Sequence, residues 1–387
     1  MAIKQELEKR VKRTCLFDKH VAMGATIVEF GGFDMPLLYQ SSITQEHRAV
    51  REHAGVFDVS HMGEVTVKGE DAERYVQHIF TNDVAGAPVG KIFYGMMCYE
   101  NGGTVDDLLV YKTAVSTERL GENDFFLVIN AANIDKDWAW MQEQAAGFNI
   151  DLQNRSDYYA QLAVQGPQAE DVVERVLGLP CKELTFYTCK VITSTCHSEG
   201  QGGEPVIISR TGYTGEDGFE IYASHGYITD CWDKLIEAGV QACGLGCRDT
   251  LRFEVGLPLY GDELSADISP VMAGLTMFVK FDKPEFIGKD ALLKQKTEGT
   301  AKKLVGIELA DKAIPRHGYT VLNKEGEPIG EVTTGYHGIS VDKSVCMALI
   351  DSRYAKLGTE VDIQIRKKVF PGVVVKKRFY EKHYKKS

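Results

Sequence analysis

The sequence predicts an α+β protein, two ferredoxin-like halves followed by a C-terminal all-β, barrel-like domain. Three observations carry that reading. A strand–glycine–helix unit occurs twice, at Val65 to Val76 and again at Leu162 to Val173. Each unit leads into further strands and a second helix. From Lys302 onward the texture changes to short strand-like runs separated by turn clusters. The expected division is 1–155, 156–295 and 303–387, with the last boundary in the charged stretch Lys294 to Lys303.

Taken in order, Met1 to Thr14 mixes Lys4, Lys9, Arg10, Lys12 and Arg13 with Glu6 and Glu8. It lacks the apolar core of a secretory signal and the acid-poor character of a transit peptide, and reads as a soluble helix. In the first half Val65 to Gly69 is a strand with its turn. Ala72, Tyr75, Val76, Ile79 and Phe80 then fall at helical spacing on one apolar stripe. Strands follow at Asp107 to Tyr111 and Phe125 to Asn130, then a helix over Asp135 to Gln144. In the second half Leu162 to Gly166 is the strand and turn; Pro167 suits a first helical turn and Gly178 a stop. Strands follow at Val206 to Arg210 and Phe219 to Tyr222, then a helix over Ile228 to Ala238. One strand–helix–strand–strand–helix order, twice over, gives the two halves.

The all-β domain is read from Leu304 to Leu309, Val321 to Leu322, Gly330 to Thr334, Val345 to Ile350, Glu360 to Ile365 and Val373 to Val375. Turn residues such as Asn323 to Gly326 separate the runs. The basic, aromatic tail from Lys376 is either a solvated end or a docked segment that reaches a site.

Composition narrows the function classes. Over 387 residues, 44% hydrophobic and 26% charged residues allow a sizeable core. The net charge of −11 comes without a basic block in the body of the chain, so no nucleic acid is expected as a partner. No apolar run reaches the length of a membrane span, so no membrane partner is expected either. Nine cysteines include no Cys-x-x-Cys pair. Cys243 and Cys247 lack a second ligand pair in sequence, so no metal is expected, and a reducing compartment fits best.

Four segments could carry chemistry. Arg210-Thr-Gly-Tyr-Thr-Gly-Glu-Asp-Gly-Phe-Glu220-Ile-Tyr222 is a glycine-rich turn feeding a strand. Phe219 and Ile221 share one face, Glu220 and Tyr222 the other, and a carboxylate there suits a ligand with two N–H donors. Asp106 and Asp107 start another strand and point to opposite faces. Gly244-Leu-Gly246-Cys-Arg248 opens a helix without a dinucleotide fingerprint; Arg248 is either a carboxylate clamp or part of a network with Asp249 or Glu254. Tyr94 and Tyr213, beside glycines, are either cavity or core. His61 reads as a packed histidine.

These segments, with Gly55-Val-Phe-Asp-Val-Ser-His-Met-Gly63, Gly102 to Val110 and Pro258-Leu-Tyr-Gly261, resemble the T-protein family of the glycine cleavage system. The resemblance runs from about Lys12 to the tail. It implies a three-domain cloverleaf around a central folate. It implies transfer of an aminomethyl carbon from the lipoyl arm of the H-protein to tetrahydrofolate, a co-substrate. The products are methylenetetrahydrofolate, ammonia and the dihydrolipoyl carrier. Asp107 matches the family's catalytic acid, Glu220 its pterin-binding glutamate and Arg248 a folate-site arginine. Tyr384 matches a site tyrosine, with Tyr380 the alternative. The same resemblance implies contact with the P- and L-proteins through the complex, and a cytoplasmic, bacterial-type enzyme. The alternatives are a folate-dependent demethylase and a non-catalytic folate-binding protein.

Overall fold

The computed structural model describes residues 11–113, 124–193 and 204–385. A small ribbon comes first: β1 (Lys12–Arg13), α1 (Phe17–Ala22), β2 (Thr26–Phe30) and β3 (Phe33–Leu38), with strands ordered β1-β3-β2. Most of the expected N-terminal helix, residues 1–10, lies outside the described residues; Lys12 and Arg13 are strand, not helix. α2 (Ile43–Glu52) opens on a capping box between Ser42 and Gln45 and leads to β4 (Gly55–Asp58).

The repeat follows. β5 (Gly63–Lys68), α3 (Ala72–Ile79), β6 (Ile92–Cys98), β7 (Thr104–Thr113), β8 (Asp124–Ile129), α4 (Ile134–Gln144) and β9 (Asp151–Asn154) build a sheet ordered β6-β7-β8-β5-β9. β10 (Tyr159–Gln165), α5 (Ala169–Leu177), β11 (Cys189–Thr193), β12 (Pro205–Ser209), β13 (Gly218–Ser224), α6 (His225–Glu237) and β14 (Gln241–Ala242) repeat that succession. Their sheet is ordered β11-β12-β13-β10-β4-β14. Each unit therefore has two strands more than the sequence reading, β6 and β9 or β11 and β14. β4, from before the repeat, is wedged between β10 and β14 and ties the second sheet to the N-terminal segment.

Strand alternation decides which faces meet. Val65, Val67, Leu108, Val110 and Leu127 pack with the stripe of α3, where Ala72, Tyr75, Val76, Ile79 and Phe80 are all buried. Leu162, Val164, Ile208, Phe219 and Ile221 pack with α5 and α6. Gly178 ends α5 in the left-handed conformation, as expected. The helices thus cover one face of each sheet, and the two bare faces meet. Tyr111, Phe126, Val128, Tyr159, Ile207 and Tyr222 form the buried layer between them.

α7 (Leu245–Glu254) and α8 (Lys289–Glu298) complete the helices. The expected boundary stretch, Lys294 to Lys303, contains the join between α8 and the strand that follows it. It is helical through Glu298 and enters β15 (Lys302–Leu309), leaving an irregular join of residues 299–301. β15, β16 (Thr320–Leu322), β17 (Pro328–His337), β18 (Ser344–Asp351), β19 (Glu360–Ile365) and β20 (Lys368–Val375) close into a barrel ordered β15-β18-β17-β16-β19-β20. All six strand runs read from sequence are there. No helix among the described residues is long and apolar enough to cross a membrane.

Glu64 tests this packing. It alternates with Val65, so its carboxyl faces the inter-sheet layer, in the field of Tyr159 and Tyr222. It is fully buried and neither oxygen has a hydrogen-bond partner. Burial pushes its pKa well above the ordinary value, so folding favours the protonated acid. The associated stability is whole below the unfolded pKa of about 4.3. It is lost as pH rises, by about 1.4 kcal/mol per unit until the folded group ionises. Glu64→Gln should therefore match the wild type in thermal unfolding near pH 4.5 and exceed it at pH 8. Identical pH dependence in the two proteins would contradict this burial.

Candidate active site

β7 and β13 each bring a carboxylate to the inter-sheet side. On β7, Asp106 and Asp107 point to opposite faces, as alternation requires. Asp106 is fully buried and accepts from Asn130 N at 2.9 Å, Asn130 Nδ2 at 2.8 Å and Asn133 Nδ2 at 2.7 Å. Asp107 is half-buried on the inter-sheet side. Its Oδ2 accepts from the Tyr94 hydroxyl at 2.9 Å and its Oδ1 from Asn130 Nδ2 at 2.9 Å. Tyr94 is held edge-on by Phe278, with ring centroids 4.8 Å apart. Burial and the neighbouring Asp106 push the Asp107 carboxyl up to about 7, against the pull of its two donors.

On β13, Glu220 is buried and accepts from Gln161 Nε2 at 3.0 Å and from the Thr211 hydroxyl at 2.5 Å. Burial raises its pKa; Thr211, Arg248 and Gln161 pull it down. Each carboxylate oxygen has two lone pairs, so one acceptor site per oxygen is left for a ligand. The glycines before this strand exist for Gln165. A Cβ on Gly212 would stand 1.9 Å from Gln165 Oε1, and one on Gly218 would stand 2.4 Å from its Nε2. Gly215 takes φ +85, a conformation open to glycine. Arg210 seals the turn through Asp217 at 2.9 Å, Leu184 O at 2.9 Å and Glu170 at 2.8 Å.

The two arginines of α7 part company. Arg252 is spent on structure, donating to Asp249 at 2.7 Å and Glu263 at 2.8 Å. The guanidinium of Arg248 lies over the Tyr213 ring at 4.6 Å and forms no ion pair among the described residues. Tyr213 is fixed by a hydrogen bond to Pro258 O. Burial lowers the Arg248 pKa while Tyr213 and Glu220 support the charge. His61 is buried, edge-on to Phe30 at 5.7 Å, and pushed down to about 4 by burial and Arg248, so it is a neutral packed histidine.

The tail is docked. Phe379 N and Tyr380 N donate to Glu254 O at 2.9 and 2.8 Å, and His383 N donates to Gly215 O at 2.7 Å. Lys385 reaches Glu170 at 2.8 Å. Tyr384 therefore stacks on Phe186 at 4.3 Å, in the field of Glu220. Tyr380 instead lies under Arg51 at 4.3 Å. Beside Phe186, Tyr187 takes φ +62 and is exposed to the fields of Tyr384, Glu220 and Asp107 together. Sequence reading missed Tyr187, Asn130, Gln161 and Thr211. The positive φ of Tyr187 has no signature in its neighbours, and the polar three are ordinary strand or loop residues until the sheets meet.

Among the described residues one group could hold a metal: Glu46, Cys243 and Cys247, with ligand atoms within 4.8 Å of one another. The structure thus gives the cysteines the third ligand that the sequence did not reveal. The Glu46 oxygens already accept from Tyr39 N, Ser41 Oγ and Gly244 N at 2.8–3.0 Å. Burial raises both thiols. A separate cavity of about 450 Å³, lined by residues including Lys12, Arg13, Ser60 and His225, lies beside the N-terminal ribbon and touches neither carboxylate.

Residues 16–283 match the family described as the GCVT N-terminal domain, and residues 302–381 match the glycine cleavage T-protein C-terminal barrel domain. An aminomethyltransferase of Thermoanaerobacter pseudethanolicus is 47% identical over 380 residues, 97% of this chain and 99% of that one. One of Alkaliphilus oremlandii is 48% identical over 381 residues, with the same coverage. The crystal structure of glycine cleavage system aminomethyltransferase T from Bartonella henselae matches with a TM-score of 0.88 at 33% identity. That match covers 97% of this chain and 100% of the other.

Tyr94→Phe should remove one of the two donors to Asp107 and move its titration upward from about 7. Carbon-13 NMR of labelled aspartate measures this. An unmoved titration would mean that the Tyr94 hydroxyl does not hold the Asp107 carboxylate.

Proposed function

The chain belongs to the glycine cleavage T-protein family and is an aminomethyltransferase, and on that premise we propose that tetrahydrofolate is its acceptor and the lipoylated H-protein its carrier. The P- and L-proteins meet it through the same carrier. In the reaction the carbon–sulfur and carbon–nitrogen bonds of the aminomethyl group break, and two carbon–nitrogen bonds form at N5 and N10 of the folate. The two protons leaving N5 and N10 end on ammonia and on the carrier thiol.

The observation that carries the reading is the placement of Asp107 and Glu220 on the facing sides of two apposed sheets. Glu220 offers two converging acceptors to the paired N–H donors of a pterin edge. Arg248, charged and without an ion pair, offers donors to a ligand oxygen. Asp107 is the half-buried carboxylate beside the reacting carbon, where positive charge develops during transfer. A preoriented charge in a water-poor site is worth far more than in bulk water. Tyr94 and Asn130 hold that carboxylate in one orientation. Tyr213 supports Arg248, and Tyr384 closes the side next to Tyr187.

Ammonia release from aminomethylated H-protein and tetrahydrofolate tests these assignments. Asp107→Asn keeps shape and loses charge, so turnover should fall on the order of 10²–10³ with folate affinity nearly intact. Glu220→Ala should do the reverse, weakening folate binding by roughly 1–3 kcal/mol for the unpaired donors. Near-normal ammonia release from the first variant, or unchanged affinity in the second, would remove that residue from its role.

A further inference from the structure

Glu220 does not stand alone. Gln161 Nε2 donates both to Glu220 Oε1 at 3.0 Å and to the Tyr222 hydroxyl at 3.1 Å. Tyr222 meets the Tyr111 hydroxyl at 2.8 Å, Tyr111 meets Ser209 Oγ at 3.3 Å, and Ser209 meets Thr211 Oγ1 at 2.7 Å. Thr211 donates to Glu220 Oε2. The six groups close a ring. All but one come from the second repeat; Tyr111 comes from β7, the strand of Asp107.

The proton positions around this ring follow by counting. Thr211 has spent its proton on Glu220, so toward Ser209 it can only accept, and Ser209 donates to it. With that proton spent Ser209 accepts from Tyr111, and with its own proton spent Tyr111 accepts from Tyr222. An amide nitrogen only donates, so Tyr222 also accepts from Gln161. Every bond therefore runs one way, from the amide of Gln161 through four hydroxyls and into the carboxylate. A ring polarised in this sense suits an ionised Glu220 and disfavours the protonated acid. The orientation of the Gln161 amide is fixed by the same count, since the flipped amide would set an oxygen against the carboxylate.

We propose that Tyr111 and Tyr222 are positioning residues for Glu220. Through this ring they keep it ionised and aimed into the cleft, and they fix its distance from Asp107 because Tyr111 shares the strand of that residue. The proposal rests on the reading of Glu220 as the pterin anchor. Asp107 and Tyr111 are four residues apart on one face, roughly 13 Å along the strand, so a shift of β7 against β13 would break the ring before it moved the carboxylates far. The hydroxyls themselves are fully buried, and their partners are each other, Gln161 and Ser209. Their effect passes through Glu220 alone.

The test uses the full chain with Tyr111→Phe, Tyr222→Phe and the double variant, each checked for an unchanged unfolding temperature. Tetrahydrofolate affinity is titrated across pH, and kcat is read from ammonia release. Each single variant should weaken affinity roughly 3- to 10-fold, the range of one hydrogen bond, with kcat within about twofold. The double variant should be no worse than either single one, because both break the same ring. Glu220 must be ionised to accept, so affinity is lost as pH falls through its pKa. Without the ring that pKa rises, and the loss should begin at higher pH. Thr211→Val should behave likewise, and Thr211→Ser, which restores the hydroxyl, should rescue. If the tyrosine variants unfold, Ser209→Ala decides the matter, since it breaks the ring between Thr211 and Tyr111 without touching a carboxylate oxygen: it should weaken affinity and move the pH limb in the same way, and wild-type behaviour would overturn the proposal. Additive losses, an unmoved pH limb, or equal behaviour of Thr211→Val and Thr211→Ser would overturn the proposal and leave the tyrosines as core packing. Glu220→Gln is the separate control: unchanged affinity there would overturn the anchor reading itself.

Discussion

The hydroxyl contact of Tyr111 with Tyr222 at 2.8 Å is one of the directional bonds that hold the two repeats in register, beside Tyr111–Ser209, Ile92 N to Tyr187 O and Cys189 N to Gly90 O. Its own net worth is about 1 kcal/mol. The apposition of the sheets is driven by something larger. Tyr111, Phe126, Tyr159 and Tyr222 are each buried between the sheets, and a buried side chain of this size contributes about 1.5–3 kcal/mol. Apolar burial has no direction, however, and would accept many offsets of one sheet on the other. The hydroxyl contact accepts one. Together with the other bonds between the repeats it fixes where Asp107 lies relative to Glu220.

The two carboxylates show how neighbours divide the labour of similar groups. Glu220 is surrounded by donors, and each of its oxygens already accepts a hydrogen bond. Asp107 has two donors, but burial and the carboxylate next door push it up to about 7; burial raises Glu220 as well, against its donors. The arginines divide in the same way. Arg252 is committed to Asp249 and Glu263, binding α7 to the segment that follows it. Arg248, one turn earlier, is supported by an aromatic face and keeps its donors unspent.

Much of this was legible in the chain. The twofold strand–glycine–helix pattern gave the repeat because amphipathic spacing is local and survives without partners. The alternation at Phe219 to Tyr222 and at Asp106–Asp107 assigned faces correctly for the same reason. The extra strands were hidden in different ways. β6 contains Gly95 and reads as an apolar run without alternation, and β9, β11 and β14 are short. β4 joins a sheet made of residues a hundred positions later, which no local pattern announces. The tail was read as either free or docked because its partners, Gly215 and Glu254, are remote in sequence. The hydroxyl ring was invisible for the same reason: five of its members are ordinary strand or turn residues, and the sixth belongs to the other repeat.

On the proposed function the folate lies between the two sheets, with its pterin edge on Glu220 and its N5–N10 edge turned toward Asp107. A crystal structure of the protein soaked with tetrahydrofolate measures this directly. Two pterin nitrogens should lie within hydrogen-bond distance of the Glu220 oxygens, with Arg248 donating to a ligand oxygen and the Tyr111–Tyr222 contact unchanged. Folate bound instead in the cavity beside Lys12, Arg13 and His225, with the inter-sheet cleft left to solvent, would contradict that placement.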